Sequence, residues 1–319
     1  MSTPHPLQCA IARYLSHKRS LGHTYRGEAG VLARLRRGVR QQRRRDLDPT
    51  GFDHWLRGLR DRHPNTRRKW HQIVRNFCLY RRRDEPHCFV PTDNYAKRQP
   101  YITPVIVEPA QVAQMLTLAT RLVPSPNSPL RGPVTRMALV LLYTAGLRLG
   151  ELLRLTLGDI LEDGALLRIR ESKFHKSRWV PLSPSASREL RDFLRLRSRI
   201  FPTAPAAPLL CNRYRRGGYS HPGMQAALGR LFVAAGVCDA HGRRPRVHDL
   251  RHSFAVLALI RWFRADADVQ SCLPKLALFM GHVSIESTAH YLHWIPAVRA
   301  LASARFEKRF SQLVTGGVQ

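Results

Sequence analysis

Apolar residues fall at helical spacing over Leu7 to Leu21 and Tyr25 to Val39, and over a shorter run from Phe52 to Leu59. Gly22 separates the first two runs and suits a helix stop. Thr66 can cap a fourth helix, in which Trp70, Ile73, Val74, Phe77 and Tyr80 make one apolar stripe. From 84 to 108 the periodicity fades and Pro86, Pro91, Pro100 and Pro104 accumulate, as in a linker. It returns at Glu108-Pro109, with proline in a first helical turn. A Pro/Ser loop (Pro124 to Pro133) precedes an apolar helix over Val134 to Ala145 and a further helix from about Leu149. Ala165 to Arg170 and Arg178 to Leu182 read as strands of a β-hairpin joined by Glu171 to Ser177. Helices follow from Ser185, around Gln225, from His248 and from Pro274. The pattern predicts a mainly α chain with a small β-sheet: a helical domain over 1–85, a linker over 86–108 and an α+β domain over 109–319.

Charge changes this picture from a generic fold to a polyanion binder. The 319 residues hold 53 Lys plus Arg against 22 Asp plus Glu, a formal net charge of +31. Such a chain seeks a polyanion, and nucleic acid is the commonest one for a soluble protein. Arg67, Arg68, Lys69, Arg75, Arg81, Arg82 and Arg83 surround the apolar stripe of the fourth helix, and the first four are candidate DNA-phosphate contacts. Lysine is rare, which singles out Lys173 and Lys176 in one hairpin tip. The apolar stretch Met137 to Leu147 is about half the length a spanning helix needs, and Met1 to Leu15 lacks the apolar segment of a secretory signal. The chain is therefore expected in the cytoplasm, without membrane contact. The cysteines form no CxxC pair, and a zinc site from His71, Cys78, His87 and Cys88 fits no standard spacing, so no metal or other cofactor is expected.

Four segments of the second domain carry chemistry-bearing residues. In Thr144-Ala145-Gly146-Leu147-Arg148-Leu149-Gly150-Glu151, Arg148 and Glu151 share a helical face. The hairpin tip Lys173-Phe174-His175-Lys176-Ser177-Arg178 is basic. In His248-Asp249-Leu250-Arg251-His252-Ser253-Phe254, His248 and Arg251 point the same way on a helix. In the stretch Met280-Gly281-His282 to Tyr291, His282 and Tyr291 can serve one site only if the helix breaks between them. Gly281 suits a helix end and Ser284 a new N-cap, so the break is available. His252, His290 and His293 are read as lying on other faces, and Tyr14, Tyr80 and Tyr143 as packing residues.

Order, local spacing and separation of these segments resemble the catalytic domain of the tyrosine recombinases, or phage integrases, from about residue 105 onward. The resemblance implies that Arg148 and Arg251 are the family's two arginines, Lys173 its hairpin lysine with Lys176 as rival, and His248 its helix-borne histidine. His282 matches the late His or Trp position, Tyr291 the nucleophile and Glu151 the supporting acid. The N-terminal helices resemble, more loosely, the family's core-binding domain. The long stretch between Arg251 and His282, with Asp266, Asp268 and Cys272, is similar to transposon-borne members.

The implied chemistry is strand breakage and rejoining through a 3′-phosphotyrosine, without metal or ATP, in DNA integration, excision or transposition. Two guanidiniums would hold the phosphate oxygens and the charge of the transition state. A tyrosine of ordinary pKa near 10 needs a proton acceptor, for which His248 is the candidate. His282 would donate a hydrogen bond to the phosphate, and Lys173 would protonate the leaving 5′-oxygen. The expected partner is double-stranded DNA, gripped by a homotetramer or mixed recombinase assembly on paired sites, with Ala297 to Leu313 as a docking helix. Three alternatives are a metal-dependent nuclease, a non-catalytic DNA binder and a type IB topoisomerase-like relaxer. The first needs clustered acids, but Asp159, Glu162 and Asp163 sit in one predicted turn.

Overall fold

The computed structural model describes residues 6–100, 102–170, 177–214 and 217–282, and beyond these Tyr291, Ala300, Ser303, Ala304 and Glu307. Two compact units divide at Ile102/Thr103. The boundary falls inside the stretch read as a linker, and each half of that stretch packs on its own unit. Phe89 and Val90 lie against the first core, and Thr92 O meets the His71 Nε2 at 2.9 Å. Val105 and Val107 are buried in the second unit.

The first unit holds helices α1 (Pro6–Ser20), α2 (Arg26–Gln41), α3 (Pro49–Arg57) and α4 (Pro64–Arg81). Leu7, Tyr14, Leu32, Leu35 and Phe77 form its centre. Asp48 caps α3 by accepting from Gly51 N at 2.7 Å. α4 begins with His63 as cap and Pro64 at its first position, so Thr66 lies inside the first turn and caps nothing. Arg81, grouped by sequence with the basic surroundings of the stripe, is buried instead. Its guanidinium donates to both oxygens of Asp46, at 2.8 and 2.7 Å, and also to Glu85. Arg67, Arg68, Lys69 and Arg75 do lie along α4, with Arg68 stacked over Tyr95 at 4.9 Å.

The second unit is built on α6 (Arg131–Thr144), whose Val134, Met137, Ala138, Leu139, Leu141 and Leu142 are all buried. Around it pack α5 (Pro109–Thr120), α8 (Pro184–Ser198), α9 (His221–Ala234) and α10 (Val247–Arg264). A helix apolar on nearly every side must be enclosed in this way. α7 (Leu149–Leu152) is a single turn, and α11 (Val269–Met280) packs on α10. α11 starts at the Asp268 cap, and Pro274 lies inside the helix rather than at its start. A three-stranded antiparallel sheet runs β1 (Ile160–Leu161), β2 (Leu166–Ile169), β3 (Arg178–Pro181), with Leu167 opposite Val180 and Ile169 opposite Arg178. The protein is thus mainly helical with a small sheet. No helix among the described residues is long and apolar enough to cross a membrane.

Candidate active site

The site begins where α6 ends. Gly146 adopts φ +58, and a Cβ there would lie 2.6 Å from the Phe254 ring. Only glycine lets the chain turn this closely against α10. The turn delivers Arg148, in extended conformation, to the start of α7. Glu151 closes that turn, accepting from Arg148 N at 3.0 Å.

The C-terminal end of α11 gathers the arginines. Phe279 O accepts from Arg178 Nε at 2.8 Å, Met280 O from Arg251 Nη2 at 2.6 Å, and Gly281 O from Arg148 Nη2 at 3.0 Å. The last carbonyls of a helix have no partner within the helix and carry the negative end of its dipole, so guanidiniums are their natural complement. Gly281 caps the helix with φ 66. A Cβ on it would stand 2.8 Å from Arg178 Nη1. Arg251 also donates to Gly146 O, which ties α10 to the turn after α6.

Glu151 lies between two of these cations. It accepts from Arg178 at 3.1 and 2.9 Å and from Arg148 Nη1 at 2.6 Å. Burial pushes its carboxyl up, but the bonds and charge of Arg178, then of Arg148, outweigh it and hold the carboxyl at about 2. Arg251 is 1 % exposed. Burial first, then the charges of Arg148 and Arg178, lower its pKa to about 9 against the help of Glu151. Three guanidiniums around one carboxylate leave an excess of positive charge.

α10 supplies the imidazoles. His248 is exposed to solvent and His252, one turn on, is half-buried; their rings meet edge to face at 4.7 Å. Tyr291 is 4 % exposed, and its hydroxyl lies 2.7 Å from His252 Nδ1. Burial raises the Tyr291 pKa to about 12, although Arg251 and Arg148 pull it down. His282 follows the Gly281 cap. Burial, then Arg251, Arg148, His252 and Arg178, lower its pKa to about 3.

Of the residues expected from sequence, Arg148, Glu151, His248, Arg251, His282 and Tyr291 come together here. Lys173 and Lys176 lie outside the described residues, between the ends of β2 and β3. Sequence reasoning assigned His252 to another face, and the structure corrects this. His252 is four residues from His248, on the same side of α10. Arg178 also went unassigned. It shares strand parity with buried Val180, and an inward-facing arginine calls for a buried acid. Asp159 is buried and engaged by Arg168, Arg170 and Thr156, which fits poorly with a nuclease carboxylate open to a metal.

Residues 107–296 match the model of the phage integrase family. The chain belongs to the phage integrase family. The Sinorhizobium fredii protein described as putative integrase/recombinase y4rE is 31 % identical over 304 residues, covering 92 % of this chain and 94 % of its own. A second from that organism, y4rB, is 34 % identical over 244 residues, covering 74 % and 76 %. Tyrosine recombinase XerC of Haemophilus ducreyi is 35 % identical over 153 residues, or 48 % of this chain and 45 % of its own. Among solved structures, the Tn1549 transposon integrase in complex with transposon right end DNA has a TM-score of 0.66 at 16 % identity, covering 95 % of this chain and 98 % of its own. At that identity the likeness is one of fold. The phage integrase fold described by these comparisons accounts for the mainly helical second unit and its small sheet.

Proposed function

We propose that this chain is a site-specific recombinase in which Tyr291 attacks a DNA phosphate and becomes joined to its 3′ side. The observation that carries the reading is the buried Tyr291 hydroxyl beside the cluster of Arg148, Arg178 and Arg251. A cluster of cations around the buried Arg251, with Arg148 still partly open to solvent, suits an anion, and a phosphodiester supplies one. Arg148 and Arg251 hold its non-bridging oxygens and stabilise the charge that grows as the fifth oxygen approaches. His282 donates a hydrogen bond to the phosphate, and an imidazole of α10, expected from sequence to be His248, takes the tyrosine proton. Lys173, or Lys176, protonates the leaving 5′-oxygen. Tyr291 Oη forms the bond to phosphorus as the bond to O5′ breaks, so one phosphoester replaces another. The 5′-hydroxyl of a second strand can then reverse the step without ATP.

Several finer readings belong to the same proposal. Residues 1–85 act as a core-binding domain in which Arg67, Arg68, Lys69 and Arg75 hold phosphates, joined by Lys176 from the hairpin. The working form is a tetramer on two duplexes in the cytoplasm, with residues 297–313, most of which lie outside the described residues, docking on a neighbour.

The test uses nicked suicide duplexes with a randomised central segment, from which the protein captures its own site. A denaturant-resistant adduct should form, in EDTA as well as without it. Tyr291→Phe should abolish it. An adduct undiminished in Tyr291→Phe would remove Tyr291 as nucleophile, and an adduct lost in EDTA would point to metal chemistry.

A further inference from the structure

We infer that His252 is a further catalytic residue, whose Nδ1 aims the Tyr291 hydroxyl and takes its proton as the tyrosine attacks. The inference rests on the reading of Tyr291 as nucleophile. It moves the proton-accepting role expected of His248 to its neighbour one turn along α10.

The geometry is direct. The Tyr291 oxygen lies 2.7 Å from His252 Nδ1, the separation of a good hydrogen bond. Tyr291 is deeply buried, so the hydroxyl cannot shed its proton to bulk water. Among the described residues its hydrogen-bond partner is His252. His248 instead packs its ring edgewise against His252 at 4.7 Å.

Protonation states agree with the geometry. A neutral imidazole offers one acceptor nitrogen, and for Nδ1 to accept from the tyrosine the proton must sit on Nε2. Burial first, then His248, Arg246 and Arg251, lower the His252 pKa to about 4, against an opposing pull from Asp249. His282, from the end of α11, also feels His252. The ring is therefore neutral at pH 7 and its Nδ1 lone pair is available. Tyr291, raised to about 12, keeps its proton and needs an acceptor in place. Burial is the main reason His252 is a weak base in the free protein, and a bound phosphate would offset the smaller part contributed by Arg246 and Arg251.

The step balances as follows. The Tyr291 O–H bond breaks, its proton passes to His252 Nδ1, and the oxygen pair forms the bond to phosphorus. The P–O5′ bond breaks, and O5′ takes a proton from the hairpin lysine. In rejoining, a 5′-hydroxyl passes its proton back to the neutral lysine as it attacks phosphorus, the Tyr291–phosphorus bond breaks, and His252 returns its proton to the departing tyrosine oxygen.

The experiment measures single-turnover adduct formation on one captured suicide duplex, with DNA affinity and thermal midpoint recorded for each variant. His252→Ala should slow the step about a hundredfold or more, the usual weight of general base catalysis, while DNA affinity holds. Its rate should climb with pH through the alkaline range, and added imidazole should restore part of it. His252→Gln keeps an acceptor oxygen without a basic nitrogen and should be as slow as alanine. A His252→Ala rate and pH profile equal to wild type would overturn the inference. So would full activity in His252→Gln, which would leave His252 only an aiming role. A slow His252→Ala that neither imidazole nor high pH improves would equally refute proton transfer. An adduct surviving in Tyr291→Phe would instead sink the nucleophile assignment on which the inference stands.

Discussion

Glu151→Gln removes the carboxylate that Arg148 and Arg178 share, and its cost can be worked from the site. Glu151 is 1 % exposed at its side chain, and Arg178 is 8 % exposed. The carboxyl is held at about 2 against an ordinary 4.5. A folded-state pKa below the unfolded one means stability that is fully present above pH 4.5 and lost as the pH falls toward 2. The displacement corresponds to about 3 kcal/mol at neutral pH. An independent route gives the same scale, since removing one partner of a buried ion pair costs about 3–5 kcal/mol. Two compact units need not unfold together, so a whole-chain melting point is a poor measure. Hydrogen exchange of peptides from α6 reports opening of the second unit alone. At pH 7 these should exchange about a hundredfold faster in Glu151→Gln, and the difference should narrow as the pH falls from 4.5. Equal protection at pH 7 would refute the view that Glu151 holds the arginines in place.

Three other outcomes are expected. Gly281→Ala puts a Cβ 2.8 Å from Arg178 Nη1 at φ 66, costing about 1–2 kcal/mol in backbone strain; adduct formation should fall sharply because Arg178 must move. Acid should destabilise the second unit well above the carboxylate range. The folded pKa of His252 is near 4 and of His282 near 3, so the unfolded state binds more protons below about 6.5 and stability falls with pH from there; α6 exchange protection at pH 7 and pH 5 checks this, and His282→Gln should lessen the drop. DNA affinity should fall steeply with salt, and Arg67→Ala or Arg75→Ala should each reduce the log–log slope by about one; an unchanged slope would remove that arginine from the phosphate contacts.

What was legible in the sequence had local causes. Glu108-Pro109 and Gly281 end or start helices through their own backbone chemistry, and both act where expected. The apolar run of α6 had to be enclosed, and it is. The misreading of Arg81 has a non-local cause. Arg81 looked like one of several surface cations, but Asp46, distant in sequence, draws it into the core. The stretch 86–108 reads as a linker because proline suppresses periodicity, and the boundary between the two units falls within it. Its backbone partners, such as Ser253 for Val107 N, lie far along the chain. His252 was set aside because only the three-residue spacing of His248 and Arg251 was weighed. The four-residue spacing returns to nearly the same face of a helix.

The end of α11 gives the site a common fixture. Three consecutive carbonyls, of Phe279, Met280 and Gly281, each receive a different arginine. Those arginines come from β3, from α10 and from the turn after α6, elements that share no local sequence. A fork that bonds a fixed carbonyl loses less freedom when it later meets a phosphate. The same three residues lead through His282 into the segment that carries Tyr291. Any change in how that segment leaves the helix would therefore alter arginine placement and tyrosine placement together. Phosphate binding and nucleophile delivery are on this view one structural event, set at the left-handed turn of Gly281, and a variant that uncoupled them would have to act elsewhere, at His252.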